Sequence, residues 1–528
     1  MADASTMPAE GAQPADAWNG PGAQPASVAG DRMPFMLFLA AIAWVSVPLG
    51  SNRPWAWYLL AAVVFGCVAW WCVLAARSAA VPGLSGHRAP LLLWLGWAVY
   101  PLVQVMPIPG GLLELVSPAA YNVQAYGRGL THIPWGTLSV DRGETLAEFI
   151  KHAAYLGMLF LTVVLLRDRA RVKAVLALLL IVGAAQAAVG LTSRFLGLDL
   201  FWWDPTASGA ETITVRGTFV NRNHFAALLV MCGAAGLGLI MSRLGPPRKF
   251  SGLRERAIAL MDGLLDWRAQ PLVLVVLIFA GLFFSASRGA SLGLIVAFAA
   301  TVALALLFRG RHTPEVRFVP FVAAAALIAV IWLGAAPLAE RALSTDLRAD
   351  ERLVQWELSL PLAKDYIGFG VGAGNYGEVF SLYRDSTLRP LTYDRAHSDW
   401  LELLIDHGIV GALILIAALV ATYRVVLTAY RKRRDLLARG ALFASLLGTI
   451  AMIVHGALDF VFQIPATAAC FFVLLGIGLV AARLPHEARD PSQTSRKRSD
   501  NSVSTPSQPP YGWKSAAAPA EDVALDDL

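Results

Sequence analysis

Charge is scarce in this 528-residue chain. Asp, Glu, Lys and Arg make up 15% of it against 56% hydrophobic residues, whereas an ordinary soluble domain is about a quarter charged. That balance excludes a soluble globular protein of this length. Cysteine is scarce too. The four present, Cys67, Cys72, Cys232 and Cys470, all lie inside apolar runs, which excludes a disulfide frame or a cysteine metal site and leaves them as small core hydrophobes. No nucleotide-binding loop, zinc motif or nucleophile elbow is present, and GVGAGNYG at 370–377 follows no strand, so it resembles a phosphate loop only superficially. No cofactor and no metal are expected. The chain does not start with a basic stretch followed directly by an apolar one, as a signal peptide would. The apolar runs hold almost no ionisable groups; His455, and Glu148, Lys151 and His152 at the start of one run, are the exceptions. An ion-coupled transporter would place acidic residues or broken helices at mid-depth. The net charge of +6 is modest, and no nucleic-acid partner is expected; the basic residues matter only through where they fall.

What is abundant is apolar sequence in runs of roughly 20 residues, the length that crosses a bilayer as a helix. Spans are expected near 33–49, 54–76, 90–106, 146–166, 173–193, 223–242, 270–286, 289–308, 318–337, 408–428, 439–457 and 464–483. The fold class is therefore an all-α polytopic membrane protein with about twelve transmembrane helices. Residues 1–32 and 486–528 are rich in Ala, Pro, Gly or Ser and read as disordered tails flanking one transmembrane domain, 33–485. Alternate loops differ in charge: one set carries twenty-one basic residues, and the other, the 338–407 segment aside, carries seven. The positive-inside rule makes the basic set and both termini cytoplasmic. Three segments on the outer side are long, 107–145, 194–222 and 338–407. The largest, rich in Trp and Tyr, is expected to be partly helical. Its stretch 349–364 has helical periodicity with Leu353, Trp356, Leu360 and Ala363 on one face, and Asp394–His407 reads as a second helix, with Gly408 opening the next span.

The polar residues gather at the outer interface. Arg216, Asn221, Arg222, Asn223 and His224 lie just before and at the start of a span, where backbone N–H groups and the helix dipole attract an anion; the alternative is that Arg222 and His224 face lipid headgroups. Arg288 sits in SASRG between two apolar spans with almost no loop. Its rigid fork suits phosphate, the alternative being a topology anchor. His397 is expected at the N-terminus of the second loop helix, with Asp394 and Asp399 near enough in sequence to orient its ring. The dipole and nearby arginines disfavour imidazolium there, and a neutral histidine is what a general base requires. A structural interface histidine is the alternative. His455, one turn before Asp459, reads as half of a structural hydrogen-bonded pair.

Four stretches carry a family resemblance: RGTFVNRNHFA at 216–226, SASRG at 285–289, ERLVQWELSLPLAKDYIGFGVGAGNY at 351–376 and AHSDWLELLIDHGIVG at 396–411. Through them the chain resembles the O-antigen ligase and O-antigen polymerase superfamily of bacterial envelope glycosyltransferases, over roughly residues 30–485. The resemblance implies an undecaprenyl-pyrophosphate-linked glycan as donor, presented at the periplasmic face of the inner membrane and transferred to an acceptor hydroxyl without ATP or metal. The acceptor in ligases is the lipid A–core sugar; in polymerases it is another lipid-linked repeat unit. By the resemblance Arg216 and Arg288 bind the pyrophosphate and His397 is the essential loop histidine, with Arg222 and Arg395 as further candidates. The sequence thus points to an inverting glycosyltransferase of the ligase type among membrane lipids, with an O-antigen or exopolysaccharide polymerase as the alternative. A non-catalytic lipid or polysaccharide transporter, or a subunit of an export complex, is more distant. The two tails are additional to the family pattern.

Overall fold

In a computed structural model of the protein, the described residues are 30–78, 85–198, 214–243, 270–310, 347–385 and 393–485, with 252, 254 and 388. They fall in one compact unit, Gln24–Pro485; a second unit, Met1–Ala23 with His486–Leu528, lies outside them. The expected span at 318–337 also lies outside the described residues, as do most of both tails.

The helices are α1 (Arg32–Trp44), α2 (Pro54–Ala76), α3 (Arg88–Val105), α4 (Gly110–Val116), α5 (Pro118–Gly127), α6 (Arg142–Leu165), α7 (Arg169–Leu196), α8 (Arg222–Met241), α9 (Gln270–Ser285), α10 (Arg288–Arg309), α11 (Leu347–Asp365), α12 (Tyr376–Phe380), α13 (Asp399–Lys432), α14 (Leu436–Gly456) and α15 (Pro465–Arg483). Among the described residues eight helices, α2, α6, α7, α8, α10, α13, α14 and α15, are long and apolar enough to cross a membrane, and α1 and α9 are shorter apolar helices. Local chemistry sets their starts. Pro54 and Pro465 occupy first-turn positions, where the missing N–H costs nothing. Asp141, Asp168, Asn221, Ser287, Ser398 and Asp435 cap their helices with side-chain oxygens.

Burial sorts the bundle. In α8 and α15, 94% of the apolar window is inside the protein, whereas in α2, α10 and α13 only 33% is. The first two are the centre, and the others present apolar faces outward, as a lipid environment permits. The α8–α14 contact is backbone to backbone, with a Cβ at Gly238 or Gly440 running into the other's carbonyl. Three cysteines are buried as expected; Cys72 instead faces outward from α2.

The segments between spans form a second apolar core. A two-residue antiparallel ladder pairs Ile108–Pro109 with Trp135–Gly136, enclosing α4 and α5. Leu113, Tyr121, Ile133 and Leu138 from this segment pack with Leu362, Tyr366, Val371, Tyr376, Phe380 and Ile405. Two expectations need correction. The helix over 349–364 exists, as α11, but its face is rotated: Leu353 and Leu360 are 55% and 53% exposed, while Gln355, Ser359, Leu362, Ala363 and Tyr366 are buried. Apolar periodicity misassigned the face because Gln355 and Ser359 are buried as hydrogen-bonding groups, each bonded to the Tyr376 hydroxyl at 3.0 Å. The second loop helix starts at Asp399, not Asp394, because Ser398 caps it. It runs on into the span with a kink at Gly408 (φ 62°, ψ −172°).

Candidate active site

Five stretches distant in sequence meet at one end of the bundle. In the turn before α8, the Thr218 hydroxyl donates to the Ser46 carbonyl at 2.7 Å and the Thr218 N–H to Gln186 Oε1 at 3.1 Å. Arg216 Nη1 donates to the Val220 carbonyl at 3.2 Å. The same turn is tied to the end of α9, Val215 N–H donating to the Phe284 carbonyl at 3.2 Å. That places Arg216 beside the SASRG hairpin, where Arg288 is the exposed first residue of α10. Gly289 lies against the ring of His455 on α14: a Cβ there would be 2.6 Å from His455 Cδ2.

Asp459, in the turn between α14 and α15, is the hub. It is 1% exposed and accepts a short hydrogen bond from Asn223 Nδ2. Arg352 of α11 comes within 3.9 Å of the same oxygen. The Asp399 N–H donates to the Asp459 carbonyl at 3.2 Å. Burial alone would raise the Asp459 carboxyl, but the neighbouring His224, Arg352 and His397 side chains outweigh it and hold it below the ordinary carboxylate range.

His397 lies two residues before α13, in left-handed backbone (φ 53°). Its ring meets Phe460 edge-on at 5.0 Å, and its buried Nδ1 has no hydrogen-bond partner. Burial lowers its pKa from the ordinary histidine value, Asp459 opposes that, and Arg352 lowers it further. The neutral imidazole expected from the sequence stands, but its cause is desolvation, and the acidic neighbour is Asp459. Asp399 is otherwise occupied: one oxygen accepts from the Val461 and Phe462 amides at 2.8 and 3.0 Å.

His455 departs from the sequence reading. It is buried, but neither ring nitrogen has a hydrogen-bond partner, so it forms no bonded pair with Asp459. Asn223 has taken that place. Arg222 is half-buried at the first position of α8. Arg395 is committed to carboxylates: Nη1 donates to Glu402 at 2.8 Å and to Gln463 at 3.1 Å, and Nη2 is 3.9 Å from Glu148. Two residues of this end were not read from the sequence. Arg352 could have been found by its spacing: it shares the α11 face of Gln355 and Trp356, one turn on. Glu402 carried no signal beyond being an acidic residue in an apolar helix.

Residues 273–416 match a family described as O-antigen ligase, somewhat over a quarter of the chain. The matched stretch runs from α9 into α13 and contains Arg288, Arg352, Arg395 and His397; Arg216, Asn223 and Asp459 lie outside it. No curated protein matches the chain. The resemblance to the O-antigen ligase superfamily thus rests on both the motifs and this match, and with the apolar helices it indicates a membrane protein. It supports a glycosyltransferase-like activity of the O-antigen ligase or polymerase type, with lipid-linked glycans as substrates, in general terms.

Proposed function

We propose that the protein transfers a glycan from undecaprenyl pyrophosphate to an acceptor hydroxyl on the lipid A–core at the periplasmic face of the bacterial inner membrane. The observation that carries this reading is the convergence just described. The turn with Arg216 is hydrogen-bonded to the hairpin with Arg288, the hairpin packs on His455, and the Asp459 turn that follows is bonded to Asn223 and to the start of α13 beside His397. A histidine held toward its neutral form by burial and two arginines therefore share one end of the bundle. The charge asymmetry of the loops supports a periplasmic position for that end and cytoplasmic termini.

In this reading His397 accepts the proton of the acceptor hydroxyl as its oxygen attacks C1 of the donor sugar from the face opposite the pyrophosphate. The C1–O bond breaks, its electron pair leaves with the pyrophosphate, and the anomeric configuration inverts. Arg216 and Arg288 meet the charge growing on the leaving group, where fixed cations favour the transition state over the ground state. The phosphoryl leaving group is already activated, so the step requires no ATP. Acceptor identity separates the ligase from the polymerase. Deletion of the gene should leave lipid A–core without long glycan while full-length glycan accumulates on undecaprenyl pyrophosphate. Lipid A–core carrying a single repeat instead would identify a polymerase, and unaltered envelope glycans on gels would sink both.

A further inference from the structure

His397 adopts a left-handed φ of 53°, a conformation that side-chain-bearing residues avoid. Something must impose it, and the residues on both sides of it are gripped. The Arg395 carbonyl accepts from Gln355 Nε2 at 2.7 Å, and the Ala396 carbonyl accepts from Trp356 Nε1 at 2.8 Å. Downstream, Ser398 caps α13 and the Asp399 N–H is tied to the Asp459 turn. Upstream, one carboxylate does two tasks: Glu402 Oε1 accepts from Arg395 Nη1 at 2.8 Å and Oε2 accepts from the Ala396 N–H at 2.9 Å. Arg395 in turn reaches Gln463 and Glu148, so the loop is joined to α6 and to the turn before α15. Burial alone would lower the Arg395 pKa, but Glu402 and Glu148 outweigh it and raise it, so the guanidinium stays charged.

We propose that Glu402 is a positioning residue of the transfer: by holding the Arg395 side chain and the Ala396 amide together, it sets the backbone pose of His397 and the direction of its imidazole. This rests on the reading of His397 as the base. Glu402 is 0% exposed, so it acts through His397 and not on substrate. A carboxylate is required because both partners are donors. Glutamine has one acceptor oxygen and an NH₂, and so would set a donor against either Arg395 or Ala396.

The test uses the full chain in detergent, with lipid-linked glycan and lipid A–core extracted from a strain lacking the protein. Glu402→Gln should lower kcat by roughly 10–100-fold, the scale of a displacement of about 1 Å in a reacting group, with the donor KM within about twofold. Trp356→Phe, which removes the donor to the Ala396 carbonyl and keeps an aromatic ring of smaller size, should lower kcat less, again with donor KM unchanged. The double variant should lose less than the product of the two single losses, because both release the same loop. Glu402→Gln at the wild-type rate, a loss confined to KM, or strictly multiplicative losses would each overturn the proposal. If Glu402→Gln does not elute as folded protein, Trp356→Phe decides by the same kcat–KM split, and a wild-type rate there overturns it. A near-normal rate for His397→Ala would instead remove the base reading itself.

Discussion

Gly408 joins the start of α13, which follows directly on His397, to the membrane-crossing remainder of the helix, and replacing it with alanine should be costly for two separable reasons. Its dihedrals, φ 62° and ψ −172°, lie in a region open essentially to glycine alone, and forcing another residue there costs about 1–3 kcal/mol. The new Cβ would stand 2.5 Å from the Gly368 carbonyl oxygen and 2.6 Å from both Gly368 C and Gly370 N. These are backbone atoms, so no rotamer change relieves the clash, and overpacking of this kind adds about 1–3 kcal/mol. The sum, about 2–6 kcal/mol, is a large fraction of an ordinary folding free energy of about 5–15 kcal/mol. The strain would fall on the ladder that joins the glycine-rich turn to α13: Ile409 N–H to the Ile367 carbonyl, Val371 N–H to Ile405 and Gly372 N–H to Asp406. Thermal loss of the monodisperse fraction should shift clearly downward for Gly408→Ala. It should stay in place for Gly111→Ala, where an added Cβ meets nothing within 4 Å. A Gly408→Ala protein that melts with the wild type would refute the argument from backbone contact.

Arg216→Ala and Arg288→Ala should abolish glycan transfer at normal membrane levels, and Arg→Lys should rescue only partly because the planar fork is lost; full activity of Arg288→Lys would favour a topology anchor. His397→Ala should slow transfer by about 10²–10⁴-fold, and His397→Gln should fail alike, since it bonds but takes no proton. Because burial lowers the His397 pKa and the base works only when neutral, activity should rise with pH through a midpoint below about 6.5 and be level at neutrality; a midpoint well above that value would contradict the assignment. Cysteine at Lys432, in a background without native cysteines, should resist an impermeant thiol reagent in intact spheroplasts, and labelling there would reverse the orientation.

Much of the helical frame was readable because lipid imposes a simple rule: backbone groups must be satisfied within the segment, and the side chains must be apolar over one span. Pro54–Ala76 forms the helix that its apolar run marks, and each of the other expected spans within the described residues overlaps a helix within several residues at its ends, apart from the longer start of α13. The span at 318–337 lies outside the described residues, α1 and α9 are short, and α3 is not among the eight helices long and apolar enough to cross, so the expected twelve crossings remain a reading of the sequence. The candidate site was legible where its residues were polar against an apolar background: Arg216, Arg288 and His397 stood out on that ground. Their pairings did not. Asn223 bonds Asp459 across 236 residues of chain and Trp356 bonds Ala396 across 40, separations at which no local pattern survives.

Two of the errors share one physical cause. Each treated a polar residue as if its partner had to be close in sequence or its face had to be apolar. His455 was paired with Asp459 one turn away, yet Asp459 is bound by Asn223 from α8 and approached by Arg352 from α11. The α11 face was drawn through Leu353 and Leu360, yet the helix buries Gln355 and Ser359, whose hydrogen bonds fix Tyr376 and the loop before His397. Away from water, a buried polar group left unpaired is expensive, and placing one correctly ties its element to a particular neighbour, where apolar contact would accept many. The structure uses its few polar side chains in that way at the end that holds His397. A leucine face would let α11 slide along the bundle. A Gln–Trp pair that donates to two successive carbonyls holds it in one register, and that register holds the imidazole beside Asp459 and Phe460.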